Sequence, residues 1–491
     1  MIKDTFKDMF KYLPSYIIPA IVGIISLPII TRFFPPADYG NYILVLTTIS
    51  LLSTVATAWV SSSVIRFFPD LNKKNKMDDL YSITFKFTVF SIVIVTLICS
   101  VILLFLRTVF SESLFHLLNI GILLFSLSSA MEVLLNFLRA KRMVTWFSLI
   151  RAWQSIAGLV IGMGVLVFAF GFGIEGLLLG NCISIVIALP IAYKYSIGKV
   201  SFKINNVIPS LGLEMAKYGL PITAVNIASW ILMVSDRYLL GVFRNNAEVG
   251  IYSASCNLSE HGILMITSLF MMALAPIGFN IWENSGVKES QEFLTKSTRY
   301  YILIGFPAVV GLSVLAKPIM AVFTSDAYFS GYRIIPLVAF SAFLIGIENN
   351  YGLVLAFCKK TNFTMLYNIA GAVVNLGLNI IFIPKYGFVA AAATTLIACI
   401  FILIMIIFIS RHFFIWQFPL KSMIRSVSAS AIMGLLVYFI CRNLAASNLV
   451  NLILETCSGI VIYLLGLLLL GELQPGETKA LRILAFSIFK R

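Results

Sequence analysis

Fourteen long apolar segments run through this chain of 491 residues, and its Lys and Arg residues fall almost entirely on alternate connections between them. About 20 apolar residues are what an α-helix needs to cross the hydrocarbon of a bilayer. Hydrophobic residues make up 60% of the chain, so little sequence remains for a soluble domain. The pattern predicts a polytopic membrane protein and argues against a soluble enzyme.

The segments predict an all-α fold. Backbone polar groups in lipid must be satisfied within a helix or a closed barrel, and barrel strands would alternate apolar and polar residues over about 10 positions. Continuous apolar runs of this length therefore predict helices. The predicted spans are 12–33, 42–65, 85–106, 114–138, 147–170, 174–195, 220–242, 251–279, 301–323, 334–357, 363–383, 388–409, 423–441 and 449–470.

The cationic residues predict the orientation of the chain. Of the 36 Lys and Arg residues, 28 lie on the side that carries the amino terminus, seven lie on the other side, and Arg237 lies within the seventh span. Lys and Arg are retained on the cytoplasmic side, so both termini are expected to be cytoplasmic. The net charge of +15 then suits an anionic lipid leaflet, and we expect membrane lipids rather than nucleic acid as partners.

Sequence patterns of metal or nucleotide chemistry are missing. The seven cysteines form no C-x-x-C pair, the three histidines have no metal-binding spacing, and the sequence contains no G-x-x-x-x-G-K-[ST] loop. The connections between spans are too short to hold an extramembrane catalytic domain. We therefore expect no metal, no cofactor and no enzymatic activity.

The two halves of the chain resemble each other. The motif A-D-Y-G-N-Y at 37–42 matches A-E-V-G-I-Y at 247–252, and the basic turn at 139–142 matches the one at 358–360. A repeat of six spans keeps its orientation in the membrane, so the duplication predicts two six-helix lobes related by a pseudo-twofold axis along the membrane normal, plus two carboxy-terminal helices.

The repeat divides the chain into four predicted parts. They are an N-lobe (1–195), a cytoplasmic linker (196–217), a C-lobe (218–410), and two further spans with a cytoplasmic tail (411–491). Amphipathic stretches in the linker, at 288–299 and after residue 476 are expected to lie on the membrane surface.

Three stretches carry a resemblance to a known family. They are the opening YLPSYIIPAIVGIISLPIITRFFPPADYGNY, the seventh span and its exit GLPITAVNIASWILMVSDRYLLG…AEVGIYSAS, and NLGLNIIFIPKYGFVAAAATTL. In their order and spacing, the whole chain resembles the polysaccharide, or O-antigen (Wzx-like), flippases of the multidrug/oligosaccharidyl-lipid/polysaccharide (MOP) exporter superfamily.

The resemblance implies a transporter of the bacterial inner membrane. Such flippases move undecaprenyl-diphosphate-linked oligosaccharide repeat units from the cytoplasmic to the periplasmic leaflet by alternating access. The resemblance also implies cooperation with a polysaccharide polymerase and a chain-length regulator.

Three alternatives remain open. Lipid II flippases of the same superfamily also have fourteen spans. Cation-coupled multidrug exporters usually have twelve, so the two additional spans weigh against them. A membrane glycan polymerase would need a sizeable outer loop carrying carboxylates or arginines, and no outer loop here offers one.

Six cations are predicted to bind the substrate. A diphosphate head cannot cross hydrocarbon unaided, and the forked guanidinium of arginine binds two of its oxygens at once. For the cations near the cytoplasmic surface, the alternative is ordinary snorkelling to the interface. The six are Arg66, Lys86, Arg139, Arg151, Arg237 and Arg299.

Other ionisable residues in the spans are predicted to couple or gate transport. Each costs about 2.5 to 3.5 kcal/mol in the bilayer, so it either lines a hydrated path or forms half of an ion pair. Asp236 and Arg237 point about 100° apart on a helix, so we expect one to face the path and the other to pair with a neighbour such as Glu260. The predicted coupling or gating residues are Asp236, Glu260, His261, Glu132 and Glu348, the last two gating or forming structural pairs with nearby basic turns.

Overall fold

The computed structural model describes residues 2–108, 111–198, 209–360, 362–443, 449–473 and 477. Within these residues the chain forms helices and contains no strand. The helices are α1 (Ile2–Phe33), α2 (Pro36–Lys73), α3 (Met77–Phe105), α4 (Glu112–Ala140), α5 (Val144–Leu159), α6 (Glu175–Ser196), α7 (Pro209–Phe243), α8 (Asn246–Asn284), α9 (Val287–Val314), α10 (Ala316–Phe323), α11 (Ile335–Phe357), α12 (Asn362–Tyr386), α13 (Phe388–Arg411), α14 (Leu420–Asn443) and α15 (Leu449–Leu469).

Two further segments are helical but not α-helical. A π-helical segment, Val160–Val167, continues α5. A 3-10 helix, Asp326–Arg333, follows the short α10. Hydropathy does not distinguish a π-helical turn from an α-helical one, so the sequence did not predict the first of these.

The predicted spans coincide with helices, except that the ninth, 301–323, is divided between the end of α9 and α10. Within the described residues, fourteen helices are long and apolar enough to cross a membrane. The predicted all-α, fourteen-span fold is therefore confirmed. Several helices are longer than the hydrocarbon requires: α2 has 38 residues and α8 has 39. At about 1.5 Å per residue such helices exceed the roughly 30 Å of the hydrocarbon, so they extend beyond it.

The predicted surface segment at 288–299 is the first part of the continuous helix α9. Ser290, Leu294 and Arg299 are buried, whereas Glu292 and Lys296 are exposed. One face of this stretch therefore packs against the protein, and its placement at the membrane surface stays a prediction. Residues 199–208 of the predicted linker and residues 478–491 of the predicted tail segment lie outside the described residues.

Contacts divide the chain into two compact units, residues 1–254 with 368–394 and residues 255–367 with 395–491. In the first unit α2 packs against α4 and α7, α1 packs against α5, and α4 packs against α6. In the second unit α9 packs against α11 and α14, and α14 packs against α15. These boundaries differ from the predicted lobe boundaries, and the division into an N-lobe and a C-lobe remains a prediction.

The backbone repeats the duplication seen in the sequence. The basic turns after α4 and α11 each place a non-glycine residue in the left-handed region, Arg142 with φ 56° and Lys359 with φ 57°. In both turns the following amide, of Met143 or Lys360, donates to the carbonyl five residues earlier at 2.9 and 2.7 Å. This is the Schellman pattern that ends a helix, and it occurs at matching points of the two repeats.

The matched A-D-Y-G-N-Y and A-E-V-G-I-Y motifs contact each other at their glycines. A Cβ on Gly40 would lie 1.8 Å from the carbonyl oxygen of Asn246, and a Cβ on Gly250 would lie 2.0 Å from that of Pro36. The Asn246 side-chain amide donates to Asn41 Oδ1 at 2.6 Å beside this crossing. Only glycine permits the approach, so the repeated motif specifies where the starts of α2 and α8 meet.

Candidate functional site

Asp236 of α7 forms a buried ion pair in the first unit. Its Oδ1 lies 3.5 Å from Arg237 Nη1 and accepts the Arg237 backbone N–H at 2.8 Å. The Tyr252 hydroxyl of α8 donates to Oδ2. Asp236 is 3% exposed, so its charge is neutralised inside the protein and not by solvent.

The side chain of Arg237 lies back along its own helix. Nη1 donates to the Met233 carbonyl at 2.8 Å, and the guanidinium carbon lies 5.6 Å from the centre of the Tyr252 ring. This conformation lets two consecutive residues pair although their side chains leave the helix about 100° apart. Asp236 and Arg237 thus pair with each other, and the predicted pairing of one of them with a neighbour such as Glu260 stays a prediction.

A cluster of uncharged polar side chains that the sequence analysis missed includes Ser235, the residue before Asp236. Ser235 Oγ lies 3.5 Å from Asn375 Oδ1, which accepts Asn379 Nδ2 at 2.9 Å. The Thr394 hydroxyl donates to Asn379 Oδ1. Both asparagines are fully buried. Their spacing of four residues in an apolar span was the available signal, because buried amides in a membrane helix are costly unless paired.

The second cluster of the first unit lies where α4 and α5 meet. Arg151 Nη2 lies 2.5 Å from Glu132 Oε2. The guanidinium carbons of Arg139 and Arg151 each lie 5.8 Å from the centre of the Phe147 ring. We call these four residues the arginine cluster. It brings together two predicted substrate-binding cations and one predicted gate.

The arginine cluster is open on its polar side. The Arg151 and Glu132 side chains are 35% and 39% exposed, and Arg139 is exposed with an Nη1 contact to Asn136 Oδ1 of 3.3 Å. The cluster contains two positive charges, on Arg139 and Arg151, and one negative charge, on Glu132. Both guanidiniums lie against the Phe147 ring. Such an arrangement can bind an anion that presents two oxygen atoms to the guanidinium groups.

Two further predicted cations of the first unit, Arg66 and Lys86, lie on α2 and α3. Arg66 is 58% exposed at its side chain and only 4.0 Å from Asp70, one turn further along α2. Lys86 is half-buried on α3. The roles predicted for both stay predictions.

The acids of the second unit lie around Cys399. Glu348 of α11 hydrogen-bonds to the buried Tyr367 of α12. The buried thiol of Cys399 is within electrostatic reach of both Glu348 and Glu260, and His261 is exposed. The predicted gate Glu348 thus has a tyrosine partner, whereas Glu132 of the matching repeat position has an arginine.

Arg299 is occupied by carboxylates of its own chain. It donates to Glu472 Oε1 through Nε at 2.7 Å, to the Glu472 carbonyl at 2.8 Å, and to both carboxylate oxygens of Glu477 at 2.7 and 3.0 Å. Arg299 is 8% exposed. Arg425 adds a contact of 3.1 Å to Glu472. These contacts fasten the segment after α15 to α9, and four of the five donors of Arg299 are committed there.

No group of three or more His, Cys, Asp or Glu residues is placed to hold a metal ion within the described ranges. The titratable clusters instead consist of ion pairs and hydrogen bonds inside long apolar helices. This arrangement is that of a polytopic membrane protein.

The fold is similar to that of a solved membrane transporter. The inward closed structure of the lipid II flippase MurJ superposes with a TM-score of 0.77 at 17% identity, covering 93% of this chain and 97% of that one. The likeness shows that the two proteins share one fold.

Sequence comparison identifies the family. The family described as polysaccharide biosynthesis protein matches residues 6–282, more than half of the chain. The succinoglycan biosynthesis transport protein ExoT of Rhizobium meliloti is 23% identical over 331 residues, 65% of this chain and 62% of that protein. The probable low-salt glycan biosynthesis flippase Agl15 of Haloferax volcanii is 24% identical over 240 residues, 48% of this chain and 49% of that protein. The chain belongs to the polysaccharide biosynthesis protein family and is a transporter, not an enzyme.

Proposed function

We propose that the protein is a flippase for a lipid-diphosphate-linked oligosaccharide, undecaprenyl-linked and of the O-antigen repeat-unit kind, in the inner membrane of a bacterium. Membership of the polysaccharide biosynthesis family supports transport in glycan assembly. The names of ExoT and Agl15 point to the same step, since one is a succinoglycan transport protein and the other a glycan flippase.

The arginine cluster is the observation that carries the proposal. A diphosphate presents several anionic oxygens, and the two guanidiniums beside the Phe147 ring can each bind two of them. Charge-assisted hydrogen bonds of this kind are roughly twice as strong as neutral ones. On the predicted topology the cluster lies on the cytoplasmic side, where the head group must enter.

Glu132 occupies Arg151 while no substrate is bound. The two side chains are 2.5 Å apart, so an arriving diphosphate replaces one anion with another at Arg151, and the displaced carboxylate, which is 39% exposed, turns to water. The displaced carboxylate then reclaims Arg151 when the head group leaves. In this proposal Glu132 is a gate that keeps binding reversible, and Arg299 takes no part in substrate contact because its donors are already engaged.

Asp236 is proposed as the coupling residue. Protonation of its carboxylate, or binding of a cation beside it, would neutralise the negative charge of Asp236, which Arg237 and Tyr252 now stabilise. That change would release a buried arginine within α7. The neighbouring amide and hydroxyl groups of Ser235, Asn375 and Asn379 offer oxygen atoms of the kind that hard cations prefer.

The membrane potential can contribute to export by alternating access. A head group with about two negative charges that moves outward across an inside-negative membrane gains roughly 4 to 5 kcal/mol per 100 mV if the charges move uncompensated. Ion coupling at Asp236 would add to this drive. On the predicted orientation, both termini face the cytoplasm, and a polysaccharide polymerase and a chain-length regulator act on the flipped product.

A second candidate is flipping of lipid II, the substrate in the name of the solved transporter with this fold. Both substrates share a polyprenyl diphosphate, so the arginine cluster serves either. They differ in the attached glycan, and competition between the two lipids in one assay separates the candidates.

The test uses purified protein in liposomes that contain a fluorescent lipid-diphosphate-linked oligosaccharide. We expect Arg151→Ala and Arg139→Ala to lower substrate affinity at least tenfold, since each removes a charge-assisted contact. Glu132→Gln should raise affinity, because Arg151 is then unoccupied. Lys296→Ala, which removes a surface cation paired only with Glu292, is the control. Unchanged affinity in all three cluster variants would refute the proposed site.

A further inference from the structure

An apolar groove runs between four helices of the second unit. It has a volume of about 390 Å³. Its lining includes Ile302 and Phe306 of α9, Phe343 of α11, and Leu403 and Ile407 of α13, and the start of α14 forms the fourth side. This volume falls within the range of ligand-binding sites, about 300 to 1,000 Å³. Its walls are hydrocarbon and aromatic, so the chemistry that fits it is an aliphatic chain.

A polar pocket of about 330 Å³ continues the groove at one end. The two share Tyr351, Arg411, Phe418 and Leu420 as lining residues. The pocket lies at the carboxy-terminal ends of α11 and α13 and the start of α14, which is the cytoplasmic side on the predicted topology. Apolar groove and polar pocket together form one amphipathic site.

Two donors in the polar pocket have no partner among the described residues. Arg411 is exposed and has no ion pair there. The indole N–H of Trp416 is buried and lacks a hydrogen-bond acceptor in the same set of residues. A buried donor without an acceptor costs about 1 to 3 kcal/mol. Both residues line the pocket, so an anionic oxygen placed there would complement the exposed guanidinium of Arg411 beside Trp416.

The loop that forms the pocket wall is held in place. Gln291 Nε2 donates to the Ile415 carbonyl at 2.7 Å, and the Thr295 hydroxyl donates to the Gln417 carbonyl at 2.8 Å. The ring of Trp416 lies 5.0 Å from that of Tyr351. Side chains of α9 thus fix the backbone on both sides of Trp416, and the pocket is a built feature of the fold.

We propose that this site binds one anionic phospholipid of the cytoplasmic leaflet, with an acyl chain in the groove and the phosphate at Arg411 and Trp416. Basic pockets between transmembrane helices on the cytoplasmic side are places where anionic head groups bind. The unpaired guanidinium complements that charge. The lipid is a resident partner and not the transported substrate, so the inference does not depend on the proposed function.

The experiment is native mass spectrometry of the full-length protein, delipidated and then titrated with phosphatidylglycerol or phosphatidylcholine. We expect one tightly bound phosphatidylglycerol and roughly tenfold weaker binding of phosphatidylcholine. Arg411→Gln should remove that preference. Arg333→Gln, which also changes an exposed arginine of the second unit, should keep it. Ile407→Trp, which fills the groove, should weaken both lipids.

Three results would overturn the proposal. They are equal binding of the two lipids by the unmodified protein, an unchanged preference in Arg411→Gln, and preferential retention of undecaprenyl phosphate when it competes with phosphatidylglycerol. The last outcome would assign the groove to the carrier lipid of the substrate. Measuring flipping in parallel keeps the two hypotheses distinct, because the Arg411→Gln variant retains the arginine cluster.

Discussion

Replacing Arg299 with methionine tests the charged network that holds the segment after α15 against α9. The substitution keeps most of the side-chain volume and removes four hydrogen bonds to Glu472 and Glu477. Breaking a buried ion pair by removing one partner costs about 3 to 5 kcal/mol. Glu472 keeps Arg425 at 3.1 Å and Glu477 keeps the Tyr300 hydroxyl at 2.9 Å, so we expect a loss of about 3 kcal/mol.

The assay is the free energy of unfolding in a detergent titration of the purified protein. Lys296→Met is the matched control, because Lys296 lies on the same helix and its pair with Glu292 is exposed on both sides. Exposed pairs contribute about 0.2 to 1 kcal/mol. Arg299→Lys should fall between the two, since it keeps the charge and loses the fork. A loss in Arg299→Met no larger than that in Lys296→Met would refute this reasoning.

The same network should respond to acid. Burial alone would raise the pKa of Glu472, but hydrogen bonds from Ser422, Arg299 and Arg425 outweigh it and hold that pKa below its usual value near 4.5. A carboxylate with a depressed pKa in the folded state stabilises fully above its unfolded pKa, and this stabilisation is lost as the pH falls through the folded value. The stability difference between the unmodified protein and Glu472→Gln should therefore persist at neutral pH and shrink below about pH 4.5. A difference that stayed constant to pH 3 would contradict the assignment.

Three further predictions follow from the first unit. Gly40→Ala should greatly reduce the yield of folded protein in size-exclusion chromatography, because its Cβ would overlap the Asn246 carbonyl, whereas Gly164→Ala meets no atom within 4 Å and should be neutral. Arg66→Ala should lower flipping while membrane levels stay normal, and unchanged flipping would exclude a substrate role for Arg66. Asp236→Asn should abolish the dependence of flipping on a proton or sodium gradient, and a retained gradient response would move coupling elsewhere.

Most of the fold could be predicted from the sequence, because hydrophobic length and charge alternation are local and strong signals. The predicted spans coincide with helices, except that the ninth is divided between α9 and α10. The extension of α9 back to Val287 could not be predicted in this way, since Arg299 reads as an interfacial residue unless its partners are known. Those partners, Glu472 and Glu477, lie more than 170 positions away, and no local pattern connects them to α9.

The candidate site was only partly predictable. The sequence identified the ionisable residues in the spans but not which of them pair with each other. Glu132, for example, pairs with Arg151 and not with the basic turn that follows α4. Phe147 could not be recognised as a site residue, because nothing in the local sequence distinguishes it from the many other aromatic residues of the chain. Asn375 and Asn379 were identifiable in principle, as two amides one turn apart in an apolar span.

The measurement that tests the central claim most directly is transport by the purified chain in liposomes. Lipid-diphosphate-linked oligosaccharide is placed in one leaflet, and its appearance in the other is followed with and without an imposed inside-negative potential. We predict movement that accelerates with the potential and is lost in Arg151→Ala. Absence of movement, together with efflux of a cationic dye by the same preparation, would contradict the flippase assignment and favour a drug exporter.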